Sequence, residues 1–409
     1  MIRAKTILAL KEEAMHKHRL AQGLNLTSIA AAHGFSDGFN YVLIPVLPII
    51  MGELNLSILQ TGMIISAAGL SIFMMQMPAS ILSDYLGKRK AILALGLILS
   101  SLSFFGISSV GKNYHLILVL SFIVGLGNST FHPTATALVS EGFKRRPGFF
   151  MGIFSMGGNI GSAAMPAAIG ALALSLGWRA GLRVLVIPVI ILVILIYLCF
   201  PEVKAARQTV RDTFSGIWSK VCCNLPVVTL IVIYSLRGIG YRGIITFFPF
   251  LVASSMGADS RTTGFLLSIY FIIGALCKPI LGAFYDRFGV RLLLAMLFFV
   301  GSSVSLTMSN VTSIPLMAVL MAFLGIASFI SPIVMTAATT LVDRSIRSST
   351  VGMIYTAHEL QFLSPIIGGW IAQHFSIQAC FIFFAAILVL GGVVSLLLQE
   401  KRIPKLEEI

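Results

Sequence analysis

The sequence has 409 residues, of which 57% are hydrophobic and only 11% are charged. A soluble domain carries about 25% charged residues, so this chain lacks the charge to cover a water-facing surface. The composition excludes a disordered chain, a collagen, a disulfide-stabilised scaffold and an ordinary soluble enzyme. Twelve membrane-crossing helices of about 21 residues would occupy roughly 250 residues, about 60% of the chain. The sequence therefore predicts an all-α integral membrane protein.

Apolar runs separated by turn signals divide the chain into two groups of six transmembrane helices. A basic amino-terminal segment, residues 1–26, precedes the first group and lacks the apolar core of a cleaved signal peptide. The first group occupies residues 27–200 and the second residues 226–399, with a polar connector over 201–225 and a tail over 400–409. In chain order, the predicted spans are Thr27–Ile50, Ile58–Leu82, Ala91–Val110, Tyr114–Ser140, Gly148–Leu172, Leu182–Phe200, Pro226–Ala253, Thr262–Ala283, Arg291–Ser309, Ile314–Val342, Thr350–Gln373 and Ala379–Leu398.

Lys and Arg residues are concentrated on one side of this topology. They lie in the amino-terminal segment, in every second loop and in the tail, whereas the opposite loops carry little beyond Lys112, Arg179 and Arg261. The positive-inside rule places the basic loops and both termini in the cytoplasm. We therefore expect a multi-pass protein of the inner (plasma) membrane, and the net charge of +14 reflects topology rather than a nucleic-acid-binding surface.

The two groups of helices repeat each other at an offset of about 200 residues. Matching features occur in the same order along both groups. The matched pairs are Asp37–Tyr41 with Arg237–Tyr241, Gly62 with Gly264, Ser66 with Ser268, Gly152 with Gly352, Pro166 with Pro365, and Gly170 with Gly369. Two parallel repeats around an axis normal to the membrane predict two pseudo-symmetric halves with a site at their interface near mid-bilayer.

The loop after the second span and its counterpart in the second half share one pattern. Residues Asp84–Lys90 and Gly282–Arg291 resemble the Gly-x-x-x-Asp-x-x-Gly-x-Lys/Arg signature of the major facilitator superfamily, although Ser80 replaces the first glycine. This resemblance implies twelve transmembrane helices in two six-helix halves and secondary transport by alternating access. An Asp that closes one helix and a base that opens the next can lock the cytoplasmic face by charge pairs. The expected gating residues are Asp84, Lys88, Arg89, Glu141, Asp286, Arg287 and Arg291.

Three further segments narrow the resemblance. Residues Ala32–Asp37, Gly125–Pro133 and Gly157–Gly161 are similar to the fosmidomycin-resistance branch of the superfamily, whose members are proton-driven exporters of small compounds. Met165 and Pro166 stand where drug antiporters have Gly-Pro, so the direction of transport stays open. We expect Gly157 and Gly161 to serve close helix contact rather than ligand binding.

Asp37 and Glu359 are the only acids deep inside the predicted spans. A charge that faces lipid at mid-bilayer costs roughly 3 kcal/mol or more, so such groups must pair or line a water-filled cavity. His33 lies one helical turn before Asp37 and can share its face. The predicted proton-coupling residues are therefore Asp37, Glu359 and His33.

Two interpretations of the buried charges remain open. In the first, Asp37–Arg237 and Lys278–Glu359 are static bridges that hold the halves together. In the second, the acids exchange protons while the bases and their polar neighbours hold an anionic substrate. The predicted substrate-binding residues are Arg237, Lys278, Tyr41, Tyr241, His132, Asn159, Gln76, Tyr355, His358 and Arg242.

The sequence contains no nucleotide-binding glycine loop, zinc-ligand spacing or nucleophile elbow. We therefore expect no enzymatic activity, no cofactor, no metal and no nucleic acid, and a chain that works as a monomer in the bilayer. The preferred function is proton-coupled export of a small anionic or zwitterionic compound such as a phosphonate. The alternatives are proton- or sodium-coupled uptake or exchange of a carboxylate or sugar phosphate and, more distantly, a membrane sensor without transport.

Overall fold

The computed structural model describes residues 25–142, 147–199, 224–341 and 347–398. Within these ranges every regular element is a helix, which confirms the predicted all-α class. The predicted amino-terminal segment, most of the connector and the carboxy-terminal tail lie outside the described residues, and their boundaries stay predictions.

The first half consists of nine α-helices, counted within the described ranges. They are α1 over residues 25–39, α2 Leu47–Leu54, α3 Ile58–Leu86, α4 Arg89–Ser109, α5 Tyr114–Ser129, α6 Phe131–Gly142, α7 Pro147–Leu176, α8 Trp178–Val184 and α9 Val186–Cys199. A short 3₁₀ helix, Ile44–Val46, joins α1 to α2. The pairs α1/α2, α5/α6 and α8/α9 each form one broken span, so this half has six spans.

The second half also has six spans, which eight α-helices form within the described ranges. Its helices are α10 Leu225–Met256, α11 Ser260–Phe288, α12 Val290–Met308, α13 Ile314–Ser328, α14 Ser331–Leu341, α15 Arg347–His358, α16 Leu363–His374 and α17 Ile377–Leu396. A 3₁₀ turn, Glu359–Phe362, interrupts the eleventh span between α15 and α16. Eleven segments of the described chain are long and apolar enough to cross a membrane. These eleven segments do not include the eleventh span in chain order, which is broken at His358 and Glu359. With that span counted, the described residues form twelve helical crossings.

Several helices extend about one turn beyond their predicted ends. The second span ends at Leu86 rather than Leu82, and the fifth at Leu176 rather than Leu172. Each of these helices ends at a glycine with positive φ, Gly87 at 63° and Gly177 at 82°. Glycine adopts this conformation without steric cost, so it marks the true end more reliably than hydropathy.

Contacts between the halves follow the sequence repeat. Ser66 Oγ donates to Phe362 O at 2.7 Å, and its counterpart Ser268 Oγ donates to Ala163 O at 2.5 Å. A Cβ added to Gly62 would overlap Pro365 O, and one added to Gly264 would overlap Pro166 O. Matched residues therefore make matched contacts, as a pseudo-two-fold axis requires.

The molecule has two dissimilar ends. We call the end with the Gly87 and Gly289 turns the basic end, and the end with the turns at 55–57 and 257–259 the sealed end. Near the sealed end, a Cβ on Gly170 would overlap Ser260. Nearer the basic end, Gly152 and Gly352 have no atom within 4 Å of an added Cβ. The close contacts described between the halves thus lie toward the sealed end.

A polar cluster at the sealed end ties three helices of the first half. The Trp178 indole N–H donates to Glu53 Oε2 at 2.5 Å, and Arg179 Nε donates to Glu53 Oε1 at 3.0 Å. Arg179 Nη1 also donates to the carbonyl of Ser108, the last residue but one of α4, at 3.2 Å. Glu53 therefore anchors α8 to α2 while Arg179 anchors it to α4.

Trp178→Ala should lower the thermal stability of the detergent-purified protein markedly. The side chain is 3% exposed, and truncation of a buried Trp costs about 3–5 kcal/mol. Trp370→Ala is the matched control because that indole is 47% exposed. Thermal unfolding followed by tryptophan fluorescence or circular dichroism compares the two, and equal losses would contradict the anchoring role.

Candidate functional site

A cavity of about 940 Å³, counting the space at its open mouth, lies between the two halves. Its apolar wall includes Phe39, Ile64, Phe104 and Phe362. Its polar lining residues are Asn40, Tyr41, Gln76, Ser121, Asn128, His132, Arg242, Glu359 and Gln361. Nine of the twenty lining residues are therefore polar, and a cavity with this mixed lining suits a small molecule that carries polar groups.

Two breaks in transmembrane helices place polar groups on the cavity wall. After α1 ends, the Asn40 and Tyr41 amides donate to carbonyls only three residues earlier, and Pro45 is the second residue of the following 3₁₀ helix. Proline removes a backbone donor and prevents α-helix from continuing through that point. The second break, Glu359–Phe362, brings Glu359 and Gln361 to the opposite wall. Irregular backbone at membrane depth is tolerated where it lines such a cavity.

Asp37 binds two histidines at the edge of the cavity. Its Oδ2 lies 3.3 Å from His33 Nε2 and its Oδ1 lies 3.1 Å from His132 Nε2. His33 Nδ1 donates to the carbonyl of Phe154 at 2.7 Å. Because a carbonyl only accepts, His33 Nδ1 carries a hydrogen, and a neutral His33 then has none on Nε2. The His33–Asp37 contact therefore requires one further proton, on either the imidazole or the carboxyl group.

Glycine in the fifth span makes room for this cluster. A Cβ on Gly158 would overlap Asp37 Oδ2 and lie 2.8 Å from His33 Nε2, and one on Gly157 or Gly161 would overlap the backbone of α1. The prediction that Gly157 and Gly161 serve close helix contact is confirmed. The His33 ring also stacks on Phe154 with centroids 4.1 Å apart.

One ring nitrogen from each of His33 and His132 and one carboxylate oxygen of Asp37 lie within 4.8 Å of one another, a spacing that a metal ion would also require. Their hydrogen bonds account for these atoms without an ion, and we assign no metal here.

Arg237 does not pair with Asp37. Its Nε donates to the carbonyl of Ser328 at 2.8 Å, and its Nη1 donates to His358 Nε2 at 3.1 Å. His358 Nδ1 in turn donates to the Tyr234 carbonyl at 3.3 Å, so this buried histidine is neutral. The predicted Asp37–Arg237 bridge is wrong because Arg237 satisfies the carbonyl freed where α13 ends, and it does not line the cavity.

Lys278 likewise does not pair with Glu359. Its Nζ donates to Asn159 Oδ1 at 2.8 Å and lies 4.9 Å from the centroid of the Phe329 ring. Glu359 instead accepts from Gln361 Nε2 at 3.3 Å. The predicted bridge is wrong because the eighth span packs along the fifth and turns Lys278 toward it. The Lys278–Asn159 bond links the two halves.

Tyr241 was expected to face the cavity with its counterpart Tyr41, and this placement is wrong. Tyr41 lines the cavity, whereas Tyr241 is 3% exposed and its hydroxyl lies against Gly301. The α-helix of the first copy ends at Phe39, whereas the second copy continues as regular α10. Tyr41 and Tyr241 therefore point in different directions, although each follows its charged residue by four positions. Tyr355 packs against Tyr234 with ring centroids 6.1 Å apart, away from the cavity lining.

The gating prediction falls partly outside the described residues. The backbone places positions 84 and 286 in the last turns of α3 and α11, but the side chains of Asp84, Glu141 and Asp286 are not among those described. Lys88, Arg287 and Arg291 are exposed at the basic end, and Arg89 is buried. The gate stays a prediction.

Four polar residues of the cavity were not predicted from the sequence: Asn40, Ser121, Asn128 and Gln361. Asn128 Nδ2 donates to Asn40 Oδ1 at 3.4 Å and joins the fourth span to the break in the first. Asn40 lies within the repeated segment and Asn128 within the motif before His132. Both could have been found as polar residues at the same depth as Asp37.

The family model of the Major Facilitator Superfamily matches residues 29–258 and again residues 230–408. The chain belongs to the Major Facilitator Superfamily. It is accordingly a multi-pass membrane protein of a transporter family, and the twelve-helix fold agrees with this assignment. A bacterial homologue of the human lysosomal transporter Spinster, solved inward-facing and unoccupied, superposes with a TM-score of 0.77 at 15% identity. The alignment covers 92% of this chain and 97% of that one, and it shows the shared fold.

Two Escherichia coli proteins are similar over shorter regions. The probable L-galactonate transporter is 26% identical over 241 residues, which are 54% of this chain and 52% of that protein. The fosmidomycin resistance protein is 26% identical over 150 residues, 37% of this chain and 36% of that protein. The match thus spans about half the length of the first relative and about a third of the second.

Proposed function

We propose that this superfamily member is a proton-coupled transporter of a small organic anion. It works in the inner membrane by alternating access, with the basic end and both termini in the cytoplasm. The observation that carries the proposal is the position of His132, which lines the cavity and also contacts the Asp37 carboxylate at 3.1 Å. One side chain thereby joins a proton-binding cluster to the cavity between the halves.

The charge balance favours movement of proton and anion together. An ionised Asp37 places a negative charge behind His132, which disfavours an anion in the cavity. Protonation of the cluster removes that charge, so proton and anion stabilise each other. An inward proton gradient would then drive uptake. Export is the direction that the sequence favours, and the similarity to a protein named for fosmidomycin resistance is compatible with it. The similarity to a probable L-galactonate transporter supports a carboxylate as the transported anion.

Purified full-length protein in liposomes tests the proposal. Substrate-dependent proton flux would be followed with an interior pH dye while a panel of carboxylates, phosphonates and sugar phosphates is supplied outside. Co-movement of protons with one anion is expected, and counter-movement would establish export. No proton movement with any anion, combined with sodium-dependent uptake, would overturn proton coupling.

Arg242→Gln should weaken binding of the coupled anion about 10- to 100-fold, the loss of a charge-assisted hydrogen bond of roughly 1.5–3 kcal/mol. Arg242 lines the cavity, whereas the guanidinium of Arg237 is engaged by Ser328 and His358. Arg237→Gln is therefore the matched comparison and should lower thermal stability more than affinity. Titration of both variants by calorimetry distinguishes the two roles, and a larger affinity loss for Arg237→Gln would reverse the assignment.

A further inference from the structure

Two polar atoms in the cavity wall are buried without a hydrogen-bond partner. They are Gln76 Oε1 on the second span and Ser121 Oγ on the fourth, and Ser121 is 2% exposed. A buried polar atom without a partner destabilises the empty cavity, and a ligand that supplies the partner removes this cost. Gln76 Oε1 can only accept, so a ligand that satisfies it must bring an O–H or N–H donor.

The other amides of the cavity are only weakly engaged. Asn128 Nδ2 meets Asn40 Oδ1 at 3.4 Å, Asn128 Oδ1 accepts from Ser100 Oγ at 3.4 Å, and Gln361 meets Glu359 at 3.3 Å. Usual N–H···O distances are about 2.7–3.2 Å. These amides keep donors and acceptors available, and a hydroxyl group matches them because it both donates and accepts.

The charged groups of the cavity indicate a single negative charge on the ligand. Arg242 stands over the Tyr41 ring, 5.4 Å from its centroid, and makes no ion pair within 4 Å among the described residues. A guanidinium fork matches one carboxylate in a bidentate manner. Glu359 lines the same cavity and would repel a second negative charge. A doubly charged phosphonate or sugar phosphate therefore fits less well than a monocarboxylate.

We propose that the transported anion is a polyhydroxylated monocarboxylate, a compound of the sugar-acid class. Its carboxylate binds Arg242 in the second half, and its hydroxyls bind Gln76, Ser121 and the Asn40–Asn128 pair in the first half. The ligand thus bridges the halves that must move against each other. This inference rests on the proposed function, because it names the substrate class of the same cavity.

Calorimetry with the purified full-length protein tests the class with three probes of equal carbon number. D-Gluconate has the carboxylate and the hydroxyls, hexanoate has only the carboxylate, and D-glucitol has only the hydroxyls. D-Gluconate should bind at least about tenfold more tightly than either, a difference of about 1.4 kcal/mol. Fosmidomycin serves as the phosphonate probe and should bind more weakly than D-gluconate.

Variants test which residues bind the hydroxyls of the ligand and which bind its carboxylate. Gln76→Leu and Ser121→Ala should reduce the preference for D-gluconate over hexanoate, whereas Arg242→Gln should erase the preference over D-glucitol. Ser103→Ala is the control, because Ser103 is also buried but its hydroxyl bonds within its own helix to Leu99 O. Equal binding of D-gluconate and hexanoate, or tighter binding of fosmidomycin, would overturn the sugar-acid class.

The liposome assay separates this failure from failure of the proposed function. If another anion moves protons while D-gluconate does not bind, the sugar-acid class is wrong and proton-coupled transport stands. If D-gluconate binds but no anion moves protons, proton coupling is wrong and the ligand class stands.

Discussion

Asp37→Asn should abolish accumulation driven by a pH gradient while leaving substrate exchange intact. Asn has the size of a protonated Asp: its Oδ1 can accept from His132 and its Nδ2 can donate to the free Nε2 of His33. The cluster therefore stays satisfied but no longer takes up or releases a proton. In liposomes, accumulation under an inward proton gradient should fall to background, whereas counterflow of labelled substrate should persist.

Glu53→Gln is the control for this experiment. Glu53 lies on α2 in the same span, but its carboxylate binds Trp178 and Arg179 at the sealed end. Its replacement should leave the response to the pH gradient unchanged, after correction for protein stability. If the Asp37→Asn protein still accumulates substrate against its gradient, Asp37 is not the coupling acid. Glu359, which lines the cavity, would then be the residue to test.

The fold could be predicted from the sequence to a large extent because its signals are local or repeated. Apolar runs and the offset of about 200 residues suffice for two groups of six spans. The repeat even anticipates contacts between the halves, since Ser66 and Ser268 bond to matched carbonyls. Ends of spans were less accurate, because the helices of the second and fifth spans continue about one turn beyond the predicted end, to a glycine with positive φ.

The site was only partly predictable because its partners are distant in the sequence. His33 beside Asp37 follows from helical spacing, and the two atoms are 3.3 Å apart. His132 reaches the same carboxylate from the fourth span, which no local pattern indicates. The proposed bridges failed for a related reason: the direction of Arg237 and Lys278 depends on helix packing and on carbonyls freed at helix breaks.

Gly62→Ala and Gly264→Ala should each open the sealed end and shift the protein toward the opposite conformation. One added methyl group at either position would overlap a carbonyl oxygen of the other half, Pro365 O or Pro166 O. Overpacking costs about 1–3 kcal/mol, and each 1.4 kcal/mol changes a population ratio about tenfold. We expect a shift of about 10- to 100-fold toward the state in which this end is open, with turnover reduced more than substrate affinity.

Distances between spin labels decide this prediction in a background without the five native cysteines. Labels at Lys112 and Asn310 span the sealed end and should move apart, while labels at Tyr85 and Phe288 span the basic end and should approach. The same methyl group in Gly152→Ala or Gly352→Ala meets no atom within 4 Å, so those controls should keep the wild-type distances. If Gly62→Ala and Gly264→Ala also keep the wild-type distances, the glycine contacts do not set the resting state.

If the basic end closes as expected, the charged ends of α3 and α11 are brought toward the opposite half. Asp286→Asn in the Gly62→Ala protein should then reopen that end, because the charge pairs predicted for the gate could form only there.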